Sequence, residues 1–407
     1  MSRTLLLSSL LFPVCAMAQV LTPEDSLTAG LIQRDAATVV SGYGEVKVMA
    51  DLRNGTGTAN LSRAVIFLGH RFNKHISFLS ELELEDAKVA FGEDGGSSGE
   101  IAFEQLMLKF DLTRDLYITG GLMLPRLGIM NENHLPVTYN GNDRPLVETL
   151  VLPSTWREIG VMLWGRSPKL GGLNWNLGVV NGLNASGFVN GSGLREGRSE
   201  GSNGSAANLA GTGALLHYAG KFRLQASGYY GGAAGLSPRE ADSLQLQSGV
   251  FGTPIGIWEA HAQYSSPLVT ARVLGTMVSI PEAESINRAF ANNAPEAMMG
   301  AYAEAAVDLI QAFHGSATRD LWLFARYEYA NLQYQLPENG ITNGLNEITQ
   351  IAAGLSYLPV RGVTVKADVV VRTTGDQNPQ LVVTPYPQVL PFFNTNTFVN
   401  VGMGYSF

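Results

Sequence analysis

The last nine residues of the chain alternate between apolar side chains and small or polar ones. The apolar face carries Val399, Val401, Met403, Tyr405 and Phe407, and the other face carries Asn400, Gly402, Gly404 and Ser406. Successive side chains of a β-strand point to opposite sides of the sheet, so this segment predicts a strand with one apolar face. A closing strand that is apolar outside, polar inside and aromatic at its end is typical of an outer-membrane β-barrel. The edge strand of a soluble β-sandwich shows the same alternation. The rest of the sequence is therefore needed to distinguish a sandwich from a barrel.

Segments with this alternation recur about every 24 residues, counting strand and connection. Short and long connections also alternate. The short ones are residues 73–75, 220–221, 266–267 and 359–362, and the long ones are residues 185–211, 233–256, 281–298 and 375–396. Short periplasmic turns and long extracellular loops produce this order, whereas a soluble sandwich does not sort its loops. The sequence therefore predicts an all-β fold, a transmembrane antiparallel β-barrel of about sixteen strands over residues 39–407.

Two segments are assigned with more difficulty. The fifth strand is predicted over residues 116–130, and the twelfth falls within residues 296–313 (EAMMGAYAEAAVDLIQAF). The second segment is rich in helix-forming residues, but it also alternates, with Tyr302, Glu304 and Asp308 on one face. A helix and a strand both fit this pattern. Because barrels of this class have an even number of strands, we expect a strand over residues 299–311.

The N-terminal residues predict export. Arg3 precedes the apolar run TLLLSSLLFPV and the small-residue cleavage motif AMA, so residues 1–18 are expected to be a signal peptide. Cys15 is the only cysteine and lies in this segment, which leaves the mature chain without disulfides or cysteine metal sites. Residues 19–38 lack alternation and are expected to form an N-terminal tail. The predicted location is the outer membrane of a Gram-negative bacterium, with outer-membrane lipids as partners.

Charged side chains on the polar face are expected to line the barrel interior, because an arginine or lysine would cost about 2–4 kcal/mol at mid-membrane depth and an acidic side chain somewhat less. Glu81, Glu83 and Glu85 form a column opposite the apolar face of the third strand. The column is interpreted as a row of solvated charges inside a water-filled pore, as a stripe that attracts cations, or as one side of a transverse electric field that orients dipolar solutes. The other predicted pore-lining residues are Lys109, Arg223, Glu259, Arg272, Glu304, Arg326, Glu328, Lys366, Asp368 and Arg372.

The connection over residues 131–156 has prolines and apolar anchors among its polar residues, which is unusual for a simple surface loop. Its candidate functional residues are His134, Tyr139, Asp143, Arg144 and Glu148. Two interpretations remain open: an outer loop packed over the mouth of the barrel, or a constriction loop folded into it.

Other classes of function find little support in the residues. The six histidines are not spaced as a metal pair, and no Gly-x-Ser-x-Gly motif occurs. The formal net charge of −8 argues against nucleic acid as a partner. We therefore expect neither an enzyme nor a cofactor or metal requirement, with a barrel enzyme or a structural barrel as the less favoured alternatives.

Residues 121–160 (GLMLPRLGIMNENHLPVTYNGNDRPLVETLVLPSTWREIG), with SELELEDA before them and VVNGLNASGF after them, resemble the phosphate-selective porins and related general porins of Gram-negative bacteria. The resemblance implies a sixteen-stranded homotrimeric barrel for passive diffusion of small polar solutes. The expected function is a water-filled channel for small polar or charged solutes, with weak ion selectivity because acidic and basic side chains are nearly balanced on the polar face. It also implies that the aromatic Phe407 is read by the assembly machinery. Arginine ladders and lysine clusters mark the phosphate-specific members, whereas this chain has seven lysines and a glutamate column. Selectivity for phosphate or other anions is therefore the alternative function.

Overall fold

The computed structural model describes residues 38–86, 99–315, 318–381 and 392–407. The predicted signal peptide and residues 19–37 of the predicted tail lie outside this range. Sixteen antiparallel strands form a closed barrel in which each strand pairs with its sequence neighbours and β1 pairs with β16. The strands are β1 (Thr38–Asp51), β2 (Thr56–Arg71), β3 (Ile76–Glu85), β4 (Glu100–Thr113), β5 (Leu116–Met123), β6 (Glu158–Ser167), β7 (Leu173–Asn181), β8 (Leu209–Ala219), β9 (Phe222–Gly232), β10 (Pro254–Ser265), β11 (Val269–Ser279), β12 (Ala297–Asp308), β13 (Asp320–Gln335), β14 (Glu347–Val360), β15 (Val363–Thr374) and β16 (Thr395–Ser406). The predicted fold class and strand number are confirmed.

Strand β15 illustrates how the alternation of side chains determines which face of a strand lies inside the barrel. Val365, Ala367 and Val369 are exposed on the outer face, whereas Lys366 and Asp368 are buried inside. A register slip of one residue would turn the two charges toward lipid. Since a lysine at mid-membrane depth costs about 2–4 kcal/mol, the alternation fixes the register.

Short helices occur in the connections. They are α1 (Val147–Leu150), α2 (Pro238–Ser243), α3 (Ala283–Phe290) and α4 (Leu309–His314), with 3-10 turns at Pro168–Leu170, Ala185–Gly187, Arg195–Gly197 and Gly344–Asn346. None of the helices in the described part of the chain is long and apolar enough to cross a bilayer.

The structure resolves the ambiguous twelfth segment as a strand that ends in a helical turn. β12 ends at Asp308, whose carboxylate accepts the backbone N–H groups of Ile310 and Gln311 at 2.9 and 3.3 Å. This cap begins α4, so the predicted extension of the strand to residue 311 is wrong.

The fifth strand is also shorter than predicted. β5 ends at Met123, and residues 124–130 leave the wall for the barrel interior. Pro125 has no N–H to donate to a sheet, and the apolar residues that follow it pack inside the barrel and not against lipid. Alternation alone does not distinguish these two apolar environments.

An apolar core fills part of the barrel interior. The sequence predicts a polar lumen and does not predict this core. Residues 124–157, the connection after β7 and helices α2 and α3 contribute buried apolar side chains, which pack against the inner faces of β2 to β14. Trp156 and Phe188 are among the largest fully buried side chains. The connections therefore narrow the interior of the barrel.

Candidate functional site

Residues 124–157, here called the inward segment, lie inside the barrel. Asn131 closes the base of this segment, because its side chain donates to the carbonyl oxygens of Pro125 and Trp156 at 2.6 and 3.3 Å. The same side chain accepts the N–H of Trp156 at 2.7 Å. Contacts of residues 131–156 with β12 and β15 place them inside the barrel, whereas constriction of a pore by these residues stays a prediction.

Glu148 of α1 holds the inward segment together from within. Its carboxylate accepts the backbone N–H groups of Ile129 and Met130 at 2.6 and 2.7 Å. Burial raises the pKa of Glu148, and these hydrogen bonds partly oppose that shift. Gly128 has a φ of +77°, and a Cβ there would lie 2.5 Å from a Glu148 oxygen, so the turn requires glycine.

The tip of the inward segment spans the interior to the opposite wall. Asn142 donates to Asp368 on β15 through its backbone N–H at 2.7 Å and its side chain at 2.6 Å. Asn140 donates to Glu304 on β12 at 3.0 Å. Asp143 forms an ion pair with Lys47 on β1. Three wall strands therefore hold the tip in place.

Arg326 on β13 lies at the centre of a buried ion network. It contacts Glu328 at 2.7 Å and Glu304 at 3.1 Å, and Arg272 on β11 approaches Glu304 at 3.2 Å. Arg326 also donates to the backbone oxygen of Asp143 at 3.1 Å. These predicted pore-lining residues face inward, but their charges are paired beneath the inward segment. Their pore-lining role stays a prediction.

Lys366 lies over the ring of Tyr139, 3.8 Å from its centroid. The hydroxyl of Tyr139 donates to Glu45 on β1 at 2.9 Å, and Glu45 pairs with Arg63 at 3.0 Å. Burial and the nearby Glu45 carboxylate raise the pKa of Tyr139, so its hydroxyl stays a donor.

The column of glutamates on β3 divides into two environments. Glu81 and Glu83 are only 1% and 3% exposed, with Glu81 bound to Gln105 at 2.7 Å and Glu83 paired with Arg63 at 3.3 Å. Glu85 is half-buried and lines a cavity. The burial of Glu81 and Glu83 argues against a fully solvated row.

A β-bulge adds an inward carboxylate that alternation assigned to the outer face. Glu81 pairs with Gln105 and Leu82 pairs with Phe103, which leaves Glu104 as the extra residue of β4. Glu104 is completely buried. The hydroxyl of Tyr43 donates a hydrogen bond to the Glu104 carboxylate at 2.8 Å.

The remaining predicted residues lie around the interior. Arg223 pairs with Glu132 of the inward segment, and Glu259 contacts His261 at 3.1 Å. Lys109 is half-buried, with Asp111 at 3.6 Å and the Tyr117 ring centroid at 4.1 Å.

Phe407 lies at the barrel seam. Its N–H donates to the oxygen of Gly42 at 2.9 Å, and the N–H of Gly42 donates back at 3.2 Å. The exposed ring stacks with Tyr405. This placement is compatible with the predicted assembly signal, which stays a prediction.

A cavity of about 450 Å³ remains between the inward segment and the wall. Of the predicted site residues, it is lined by Glu85, Tyr139, Asp143, Arg144 and Arg372. Glu45, Lys47, Arg63 and Arg195 also line it, although they were not among the predicted site residues. Alternation does point the first three inward, but Arg195 lies in a connection, where periodicity carries no signal.

No protein-family model matches the chain. An uncharacterized protein of Aquifex aeolicus (strain VF5) is 26% identical over 343 residues, which cover 81% of this chain and 74% of that protein. Among solved structures, Salmonella typhi OmpF in complex with daunomycin is similar, with a TM-score of 0.57, 12% identity and coverage of 93% of this chain and 100% of that chain. Outer-membrane expressed OmpT of Vibrio cholerae has a TM-score of 0.51 at 12% identity, with the same coverage.

These likenesses concern the fold. The chain has a porin-like barrel fold, and it is an outer-membrane barrel protein of a Gram-negative bacterium, as predicted. The apolar outer face and closed ladder are the features that this environment requires.

Proposed function

We propose that the protein is a passive channel that lets small polar or charged solutes diffuse across the outer membrane, with weak ion selectivity. The observation that supports this function is the charged cavity of about 450 Å³ beside the inward segment. A segment folded into the barrel narrows the path, and charges of both signs on its walls keep that path wet.

The composition of the cavity wall favours anions. Its bases are Lys47, Arg63, Arg144, Arg195 and Arg372, and its acids are Glu45, Glu85 and Asp143. Lys47 pairs with Asp143, and Arg63 pairs with Glu45. Five basic and three acidic side chains thus line the cavity, so we propose a weak preference for anions. This observation supports the anion-selective alternative but carries nothing specific to phosphate.

Reversal potentials in planar bilayers under a tenfold salt gradient test this proposal. Arg372→Gln should shift the potential toward cation preference, and Glu85→Gln should shift it toward anions. Both shifts should grow at low salt, because the screening length is about 8 Å at physiological ionic strength. Arg288→Gln, on the exposed face of α3 and paired with Glu284, is the matched control and should leave the potential unchanged.

A folded protein without conductance would overturn the channel proposal and favour a structural barrel. Equal potentials for wild type and both cavity variants would overturn the assignment of the path to this cavity.

We also propose that the channel is a homotrimer and not an enzyme. The hydrogen bonds of the two buried imidazoles go to Tyr43 for His134 and to Glu259 and Gln263 for His261. Native mass measurement in detergent tests the trimer, and a monomeric mass would contradict it.

A further inference from the structure

We propose that Glu81, Glu104 and His134 form a binding site for a divalent cation of the zinc class at the barrel wall. Their candidate ligand atoms, two carboxylate oxygens and an imidazole nitrogen, all lie within 4.8 Å of one another. All three side chains are buried. They come from β3, β4 and the inward segment, so their sequence spacing contains no metal motif.

The bulge in β4 builds this cluster. A regular strand that points Gln105 inward would point Glu104 toward lipid, but the extra residue turns both side chains inside. Bulges that re-aim a side chain recur beside functional sites. The bulge therefore brings a second carboxylate next to Glu81 at a depth where a charge needs a partner.

Glu104 and His134 each carry one buried polar atom without a hydrogen-bond partner in the described ranges. Glu104 Oε2 accepts from the Tyr43 hydroxyl, whereas no residue in the described ranges bonds Glu104 Oε1. His134 Nε2 lies 2.9 Å from the Tyr43 hydroxyl oxygen and 3.4 Å from Glu104 Oε2, whereas Nδ1 is unbonded within the described ranges. Buried polar atoms usually have a partner, and a bound cation supplies one to a carboxylate.

The mixed donor set selects the class of ion. Ca²⁺ and Mg²⁺ prefer oxygen ligands, whereas Zn²⁺ takes imidazole together with carboxylates. Zinc bonds of about 2.0–2.2 Å place tetrahedral ligand atoms about 3.3–3.6 Å apart, so the three side chains have to contract slightly around the ion. Gln105, which donates to Glu81 at 2.7 Å, orients one ligand from outside the cluster.

A cation here would tie His134 of the inward segment to two wall strands. The site thus goes beyond passive diffusion, because it would make the position of the inward segment depend on metal.

Zinc titration of the folded, chelator-treated protein tests the site, using a chain without a polyhistidine tag. Calorimetry should find one Zn²⁺ per chain in wild type. Glu104→Gln and His134→Gln should each weaken binding at least as much as loss of an outer-shell partner does, about 10–100-fold. Ca²⁺ should bind more weakly than Zn²⁺.

His261→Gln is the matched control, because His261 is also buried against a glutamate but belongs to no three-ligand group in the described part of the chain. It should retain zinc binding. Co²⁺ added to wild type should give visible d–d bands that His134→Gln loses. Zn²⁺ should also raise the unfolding temperature of wild type, which needs no variant to fold.

Absence of a stoichiometric zinc site in wild type would overturn the proposal. Equal binding by wild type and both ligand variants, or binding of Ca²⁺ in preference to Zn²⁺, would also overturn it. None of these measurements depends on conductance. The zinc proposal can therefore fail or succeed independently of the channel proposal.

Discussion

The hydroxyl of Tyr302 on β12 donates a 2.6 Å hydrogen bond to the carboxylate of Glu148 in the inward segment. Both side chains are buried. The bond joins the wall to the same glutamate that accepts the N–H groups of Ile129 and Met130. One carboxylate thus organises the inward segment and attaches it to the barrel.

Tyr302→Phe should loosen this attachment while leaving the barrel closed. A hydrogen bond to a charged group contributes about 1.5–3 kcal/mol, so thermal unfolding should begin at a lower temperature and single-channel current should become noisier. Tyr329→Phe is the control, since its hydroxyl also bonds a glutamate, Glu347, but in an exposed setting. Equal behaviour of the two variants would show that the Tyr302 bond does not hold the segment.

Gly128→Ala should destabilise the inward segment for two reasons that a control can separate. The positive φ costs an alanine about 1–2 kcal/mol, and the new Cβ would lie 2.5 Å from Glu148. Gly55→Ala has a similar φ of +65° with no atom within 4 Å of the new Cβ, so it reports the backbone cost alone. Unfolding temperatures of the two variants should differ, with Gly128→Ala the lower.

Val369→Arg should reduce barrel stability by an amount that depends on how deep residue 369 lies in the membrane. Val369 is exposed on the outer face near the middle of β15, where arginine costs about 2–4 kcal/mol. Thr373→Arg, on the same face near the end of the strand, should cost only about 0–1 kcal/mol. Urea unfolding in lipid vesicles measures both. Similar losses for the two variants would contradict the lipid-facing assignment of this strand.

Replacing Phe407 with Asp should lower the amount of protein assembled in the outer membrane and leave the conductance of each assembled channel unchanged. The ring is exposed at the seam, outside the cavity. Phe407→Tyr keeps an aromatic ring and serves as the control. Normal outer-membrane levels of Phe407→Asp would show that the terminal aromatic residue is not read during assembly.

Alternation was sufficient to predict the wall but insufficient to predict what fills it. A period of two assigns Lys366 and Val369 to opposite faces without reference to any other strand. The direction of residues 131–156 depended on contacts with strands far away in sequence, such as the bond from Asn142 to Asp368. Glu104 was missed because a bulge breaks the period. The buried state of Glu81 follows from loop packing, which a strand pattern does not encode.

The inward segment has a consequence for the order of folding. Its tip bonds Asp368, which lies 226 positions later in the chain than Asn142. Of the wall strands that hold the tip, β12 and β15 are therefore made long after the segment itself, and β1 can meet β16 only at the end. The segment can reach its final position only after the barrel has closed. Packing of the interior is therefore a late step of folding, and its completion indicates that the last strand has paired.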